Sequence, residues 1–262
     1  MDFQDRRVWI TGASSGIGEA LARAFHAARA RLILSARRKE ELRRVQQLCG
    51  GEPRAKVLPV DMARSDDVEQ KAREALAVFA GIDILVLNAG ISQRSLTRDT
   101  SDSVYRRLME VNFFGPEALT RAILPSMLAN KSGHIVVISS IAGRFGAPLR
   151  SGYSATKFAL HGFYEALRAE EEKNGIHVTL VCPGFIRTNI SVSALKGDGS
   201  QHAKMDPQLA QGMPPEECAR QILKGVAARK QEIIVGAPRE KMLVYTKRFF
   251  PVLLARMVAS RG

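Results

Sequence analysis

What most constrains this chain is an alternation of two kinds of segment. Short, uninterrupted apolar runs (Val8–Ile10, Leu32–Leu34, Val57–Leu58, Ile84–Leu87, Ile135–Ile138, Val178–Val181 and Ile233–Val235) are separated by longer stretches with helical periodicity. Those stretches are Gly18–Ala28, Lys39–Cys49, Ser65–Ala80, Asp102–Asn130, Ser151–Asn174 and Pro215–Ala228. A strand that is apolar at every position needs cover on both faces, and a helix between successive strands lets them run parallel. The pattern predicts a single doubly wound α/β domain over residues 1–262, a seven-stranded parallel sheet with helices on both faces.

Two segments depart from the alternation. Residues 189–213, with Gly197, Gly199 and Gly212 beside Asp198, Ser200 and His202, read as an irregular insertion, and a loop of that length in a compact domain is usually functional or mobile. Residues 238–262 mix basic side chains with Met242, Leu243, Val244, Phe249, Phe250, Leu253 and Leu254, which predicts an amphipathic helix broken near Pro251. Six basic residues there (239, 241, 247, 248, 256 and 261) face one acid, Glu240. Such a tail can rest on an anionic membrane. The reading we prefer has it packed over a substrate pocket or a partner subunit.

Composition narrows the classes. An apolar share of 45% with 25% charged residues suits a globular core. No run reaches the length of a membrane span, and the first strand follows Met1 without the apolar region of a secretory signal. Cys49, Cys182 and Cys218 form neither a disulfide framework nor a metal-ligand spacing, and the five histidines are scattered, so we expect no metal and a reducing, cytoplasmic setting. The net charge of +13 is spread along the chain without a basic block, which argues against nucleic acid and is compatible with an anionic cofactor.

Three motifs carry chemistry. The first strand ends in Thr11-Gly12-Ala13-Ser14-Ser15-Gly16-Ile17-Gly18, just before a helix. Glycines 12, 16 and 18 permit a tight turn and let backbone approach a pyrophosphate at the positive end of that helix. Tyr153 and Lys157 are four apart at the start of a long helix, so they share a face and the ammonium can lie near the phenol. A nearby cation favours phenolate, which makes Tyr153 a plausible acid/base toward an alcohol oxygen. Ser139-Ser140 closes the fifth strand, where ligand crevices open in parallel sheets.

The order and spacing of these residues resemble the short-chain dehydrogenase/reductase family over roughly residues 6–190. The glycine turn has that family's T-G-x-x-x-G-x-G form, and Ser140 precedes Tyr153 by its usual interval (153 − 140 = 13). Asn88-Ala89-Gly90 matches the family's N-A-G, Asp61 its adenine-contacting acid, Asn112 the asparagine of its catalytic tetrad, and Pro183-Gly184 with Thr188 its nicotinamide-end segment. The resemblance implies a Rossmann-type oxidoreductase with a catalytic set of Asn112, Ser140, Tyr153 and Lys157. Ser140 would anchor the substrate carbonyl, with Ser139 as the alternative. The dinucleotide would be bound by Gly12, Ser14, Ser15, Gly16, Ile17, Gly18, Asp61, Asn88, Ala89, Gly90, Pro183, Gly184 and Thr188 together with Tyr153 and Lys157. A homodimer or homotetramer is implied too.

The second strand ends Leu34-Ser35-Ala36-Arg37-Arg38, with no carboxylate and two guanidiniums. NAD enzymes place an acid there for the ribose 2′-hydroxyl, whereas arginine accommodates a 2′-phosphate, so NADP is expected over NAD. We expect Arg37 to be the main ligand, helped by Arg38 and Ser14. Ile141, Phe145, Phe185, Met205 and Met213 are the expected substrate lining, or else ordinary core; as lining they suit a lipophilic ketone or alcohol of steroid, retinoid or acyl-lipid kind. Pro116 cannot donate to the Asn112 carbonyl four residues earlier, which predicts a kink and a carbonyl in need of another donor such as an ordered water. In the family that carbonyl holds a relay water. Two rival classes share parts of the pattern: sugar-nucleotide epimerases, whose glycine spacing differs, and a catalytically silent binding protein that keeps the fold.

Overall fold

The computed structural model describes residues 1–259; Arg261, counted among the tail's basic residues, lies outside them. The strands are β1 (Arg7–Thr11), β2 (Arg31–Ser35), β3 (Ala55–Val57), β4 (Ile84–Leu87), β5 (Gly133–Ile138), β6 (Ile176–Pro183) and β7 (Glu232–Val235). All neighbours pair in parallel, in the order β3-β2-β1-β4-β5-β6-β7. Val8 of β1 pairs with Leu32 on one side and Ile84 on the other. The chain therefore reverses its winding at β1 and β4, and a crevice opens beyond their carboxyl ends.

Successive side chains of each strand serve opposite faces. Val8, Ile10, Leu32 and Leu34 pack toward α1 (Gly16–Ala27), α2 (Lys39–Leu48) and, across the face, residues 215–227. Trp9, Ile33 and Leu85 pack toward α3 (Ser65–Val78) and residues 115–171. Burial of each such leucine or isoleucine contributes about 1.5–3 kcal/mol. Trp9 is fully buried, so its ring N–H needs a partner: it donates to Ser35 Oγ at 2.8 Å, and that hydroxyl donates onward to the Leu58 carbonyl at 2.5 Å.

The stretch expected as one helix from Asp102 to Asn130 is three pieces. Helix α4 (Asp102–Met109) passes through a wide π turn, Glu110–Phe114, into α5 (Gly115–Ala129). Within the turn the Gly115 N–H reaches back five residues to the Glu110 carbonyl. Pro116, with no N–H to give Asn112, is the physical reason that an ordinary α register cannot continue there, and the extra residue of a π turn absorbs the conflict. The Pro116 carbonyl in turn accepts from Thr120 Oγ1 at 2.8 Å and from the buried Tyr164 hydroxyl at 3.1 Å. Helix α6 (Ser151–Glu171) then returns behind β5.

Residues 189–213 are irregular apart from the single turn α7 (Pro207–Ala210). They are nonetheless fastened: the Leu195 N–H donates to the Ser92 carbonyl at 2.9 Å, and its carbonyl accepts from the Arg94 N–H at 2.8 Å. Helix α8 (Pro215–Ala227) follows, and the tail folds into α9 (Pro238–Phe249) and α10 (Pro251–Ala259), divided at Pro251. Leu243, Val244 and Leu254 of the tail pack on Ile141 and Phe145 beyond the end of β5. Glu240 fixes the start of α9. Its buried carboxylate accepts from the Ala237 N–H at 3.1 Å and fills the space that a Cβ at Gly184 or Gly236 would occupy.

Candidate active site

The carboxyl ends of β4, β5 and β6 and the first turn of α1 surround one cavity of about 310 Å³, within the range of small-molecule sites. Its floor begins at the turn after β1. Gly12 has φ +66°, a left-handed conformation open to glycine, and a Cβ there would lie 2.8 Å from the Asn88 amide nitrogen. Gly18 has no room for a Cβ beside the Gly12 carbonyl. Asn88 holds this turn to β4: its amide donates to the carbonyls of Thr11 and Gly12, both at 3.1 Å, while the N–H groups of Asn88 and Ala89 donate to Thr11 Oγ1. Gly16 starts α1 beneath the Thr188 methyl group, and Ile17 reaches the cavity wall with Gly90, Pro183 and Gly184.

Beyond β2 the two arginines differ. Arg38 Nη2 lies 3.2 Å from Ser14 Oγ and 3.3 Å from Ser15 Oγ, so its guanidinium closes over the glycine turn. Arg37 and Arg38 are both exposed, and of the two only Arg38 bonds to the turn among the described residues. Asp61 is half-buried and accepts from the Ala63 N–H at 3.1 Å, capping its own turn. A dinucleotide pyrophosphate at the α1 N-terminus fits these residues: the backbone is bare where it must be approached, and no carboxylate ends β2.

The other end of the cavity is made by β5, α6 and the tail. Tyr153 and Lys157, one helical turn apart on α6, both line it. Lys157 Nζ donates to the Ile138 carbonyl at 2.9 Å and lies 5.6 Å from the centre of the Tyr153 ring; burial pushes its pKa down to about 8. Burial raises the phenol's pKa, while a hydrogen bond with Ser140 and the charges of Arg150 and Arg94 pull it down; the net direction is upward.

The two serines separate cleanly. Ser139 is buried, pairs with His161 Nε2 at 3.1 Å and donates to the Lys157 carbonyl at 3.3 Å, so its hydroxyl is occupied. Ser140 is half-buried, with Oγ accepting from the Ala142 N–H at 3.1 Å and facing Tyr153. Asn112 is buried in the π turn. It accepts the Ile91 N–H at 2.8 Å and donates to the Ile91 carbonyl at 2.9 Å, with a further bond to Thr156 Oγ1 at 3.1 Å. Its side chain thus fixes the segment after Gly90 against α6.

Among the expected substrate residues, Ile141, Phe145 and Phe185 line the cavity and Met205 and Met213 do not. Met205 is exposed and accepts from Ser191 Oγ through sulfur. Met213 is held away by backbone pairing, its N–H donating to the Phe185 carbonyl at 2.9 Å, and it borders a separate hollow. The insertion reaches the cavity through Ile190, Gln208 and Leu209, and the tail through Leu243 and Val258. Arg94 and Arg150 line it as well and were absent from the expected set, although they stand four residues after Gly90 and three before Tyr153.

A family model described as short chain dehydrogenase matches residues 6–198. The chain belongs to the short-chain dehydrogenase/reductase family. It is 42% identical to dehydrogenase/reductase SDR family member 7B of Danio rerio, over 100% of this chain and 87% of that one. A metagenomic short-chain oxidoreductase solved in complex with NADP is 29% identical, with a TM-score of 0.73, covering 90% of this chain and 98% of that one. A short-chain dehydrogenase/reductase from Burkholderia phymatum, solved in complex with NAD, shares the fold at a TM-score of 0.85 and 23% identity, covering 97% and 96% of the two chains. As a family member, this protein is a nicotinamide-dependent oxidoreductase acting on CH–OH and carbonyl groups.

Proposed function

We propose that the protein is an NADP(H)-dependent oxidoreductase that interconverts a carbonyl and a secondary alcohol on a lipophilic substrate. The observation that carries this reading is the convergence of Ser140, Tyr153 and Lys157 on one largely apolar cavity that also touches the glycine turn. The bound nicotinamide supplies or accepts the hydride. Ser140 Oγ donates to the substrate oxygen and holds it beside the phenol. Tyr153 gives a proton to that oxygen in reduction and takes one in oxidation. The Lys157 ammonium, with one N–H committed to the Ile138 carbonyl, stabilises the phenolate side of this exchange and directs its remaining donors into the cavity. Asn112 acts on position: its amide fixes the backbone at Ile91, and with it the wall after Gly90.

The preference for NADP rests on Arg38. A guanidinium spanning Ser14 and Ser15, with no acid at the end of β2, suits a 2′-phosphate and leaves a bare 2′-hydroxyl without its usual acceptor. Lipophilicity of the substrate rests on Ile141, Phe145, Phe185, Leu209 and Leu243. The outward face of α9 and α10 exposes Tyr245, Phe249, Phe250, Val252 and Leu253 among Lys247, Arg248 and Arg256, which suits contact with an anionic membrane surface. The deciding experiment follows nicotinamide absorbance across a panel of alkyl ketones, aldehydes and their alcohols with NADPH and NADH. Turnover with NADPH favoured supports the proposal; equal use of both cofactors, or turnover confined to small polar carbonyls, overturns the corresponding half of it.

A further inference from the structure

The cavity contains more positive charge than its own architecture needs. Arg94 and Arg150 both line it, with side chains 8% and 19% exposed. They converge on a single carboxylate oxygen: Asp206 Oδ2 lies 3.3 Å from Arg94 Nη2 and 2.7 Å from Arg150 Nη2. The other oxygen of Asp206 is taken by the Gln208 N–H at 3.0 Å, capping α7. One negative charge therefore serves two guanidiniums, and Lys157 adds a third cation to the same lining. Arginine cannot relieve such an imbalance by losing its proton, and a buried charge without a counter-charge is costly.

Holding the insertion in place does not account for this. The insertion is already fastened to the segment after β4 by the two backbone bonds of Leu195. A single arginine would complete the pairing of Asp206. Arg94 is moreover braced independently, donating through Nη1 to Ser92 Oγ at 3.0 Å and to the Gln93 carbonyl at 2.7 Å. Gln93 in turn accepts the Gly152 N–H at 2.8 Å, so the loop that carries Arg94 is locked to the first turn of α6. Arg150 stands directly before that turn. The two guanidiniums are held in advance on rigid neighbours, as planar recognition of an oxyanion requires.

We infer that Arg94 and Arg150 form an oxyanion subsite of the substrate cavity, so that the substrate is a carbonyl compound with an apolar body and a carboxylate or phosphate group. Asp206 occupies that subsite partially and keeps the guanidiniums together until the ligand's anion joins or displaces it. Arg94, Arg150 and Tyr153 line the same cavity, which puts the anion and the reacting oxygen in one site. The inference rests on the oxidoreductase reading only for the word substrate; the anion site stands on its own geometry.

The test measures binding to the protein saturated with NADP, by calorimetry, for octanoate, octyl phosphate and octanol. Arg94→Gln, Arg150→Gln and Asp206→Asn variants are compared with the native chain. At least one anion should bind about tenfold or more tightly than octanol, as expected for a charge-assisted contact. That advantage should collapse in either arginine variant and persist or grow in Asp206→Asn, where a competing carboxylate has gone. The octanoate and octyl phosphate arms separate a carboxylate from a phosphate as the natural group. Equal binding of all three probes to the native chain would overturn the inference. So would an Asp206→Asn variant that loses the preference together with the arginine variants, since that is the signature of a latch. A parallel assay compares reduction of a medium-chain oxo-acid with that of its methyl ester. Turnover of both without preference removes the subsite and leaves the reductase reading intact; anion binding without turnover of any carbonyl does the reverse.

Discussion

The two ends of the cavity are built in different ways. The cofactor end is made of backbone: the turn after β1, the Asn88 staples and the N-terminus of α1, all within bonding reach of the sheet. The substrate end is made of side chains brought from six separate places, the segment after β4, the β5 exit, the start of α6, the segment after β6, the insertion and the tail. Backbone geometry at a strand end tolerates little change, because Gly12 and Gly18 have no space for a Cβ. Side chains on loops can be exchanged one at a time. Lesions at the first end should therefore act on every substrate alike, and lesions at the second should be graded and depend on the substrate.

The largest effect is expected where the two ends meet. Tyr153→Phe keeps the ring and deletes the transferable proton, so turnover of every substrate should fall by about 10² to 10⁴ while NADP still binds. Steady-state rates with cofactor titration check this, and a loss confined to one substrate would break the comparison. Arg38→Leu comes next. Losing a charge-assisted contact should weaken NADPH by about 1.5–3 kcal/mol and leave NADH little changed, with a smaller effect from Arg37→Leu. If Arg37→Leu has the larger effect, the phosphate lies on the other side of the strand end from the guanidinium that closes over Ser14 and Ser15.

Lys157 tests the junction through pH. Its folded pKa is lowered to about 8 from 10.5, so between those values the unfolded chain binds more protons and native stability rises with pH. Any stability advantage of Lys157→Met over the native protein, without cofactor, should shrink by on the order of 1–2 kcal/mol from about pH 7 to about pH 9.5. Urea titrations at the two values measure it, and a constant gap would mean that the buried amine titrates normally. The smallest effect belongs to the insertion. Leu209→Ala should change selectivity among alkyl chain lengths by about 1–3 kcal/mol without altering the KM for NADPH. Met205→Ala, on an exposed residue, should be within about 0.5 kcal/mol of native in stability.

The same contrast decides what could be read from the chain before its structure. Strand and helix bounds followed from apolar runs and periodicity because parallel strands buried on both faces leave an unbroken signal; Ile84–Leu87 is one such run, buried throughout. The π turn at Glu110–Phe114 was visible only as a conflict at Pro116, which says that an α register must give way without saying how. The order of Arg37 and Arg38 is not legible in the same way: adjacent residues leaving a strand point to opposite sides, and composition is blind to which side faces the glycine turn. Met205 and Met213 were misplaced for the same reason. Their hydrophobicity states a preference for burial and not a target, whereas backbone bonds to Phe185 carry Met213 elsewhere. Arg94, Arg150 and Asp206 were missed because their relation is spatial: (150 − 94 = 56) and (206 − 150 = 56) residues separate them, with no shared motif.

The buried carboxylate of Glu240 gives Pro183-Gly184 a second meaning. The motif reads as a nicotinamide contact, yet Gly184 is also one of two sockets, with Gly236, into which the α9 carboxylate is keyed. The part of the wall contributed by Leu243 and Val258 hangs from that keyed joint. A methyl group added at Gly184 would evict the carboxylate and unseat that wall while the backbone turn from Gly12 to Gly18 stayed whole. An inherited or engineered change at this glycine would then look like a cofactor defect in the sequence and behave as altered substrate choice at the bench. Swapping the last two helices between relatives is then a way to exchange chemistry's clientele without rebuilding its engine.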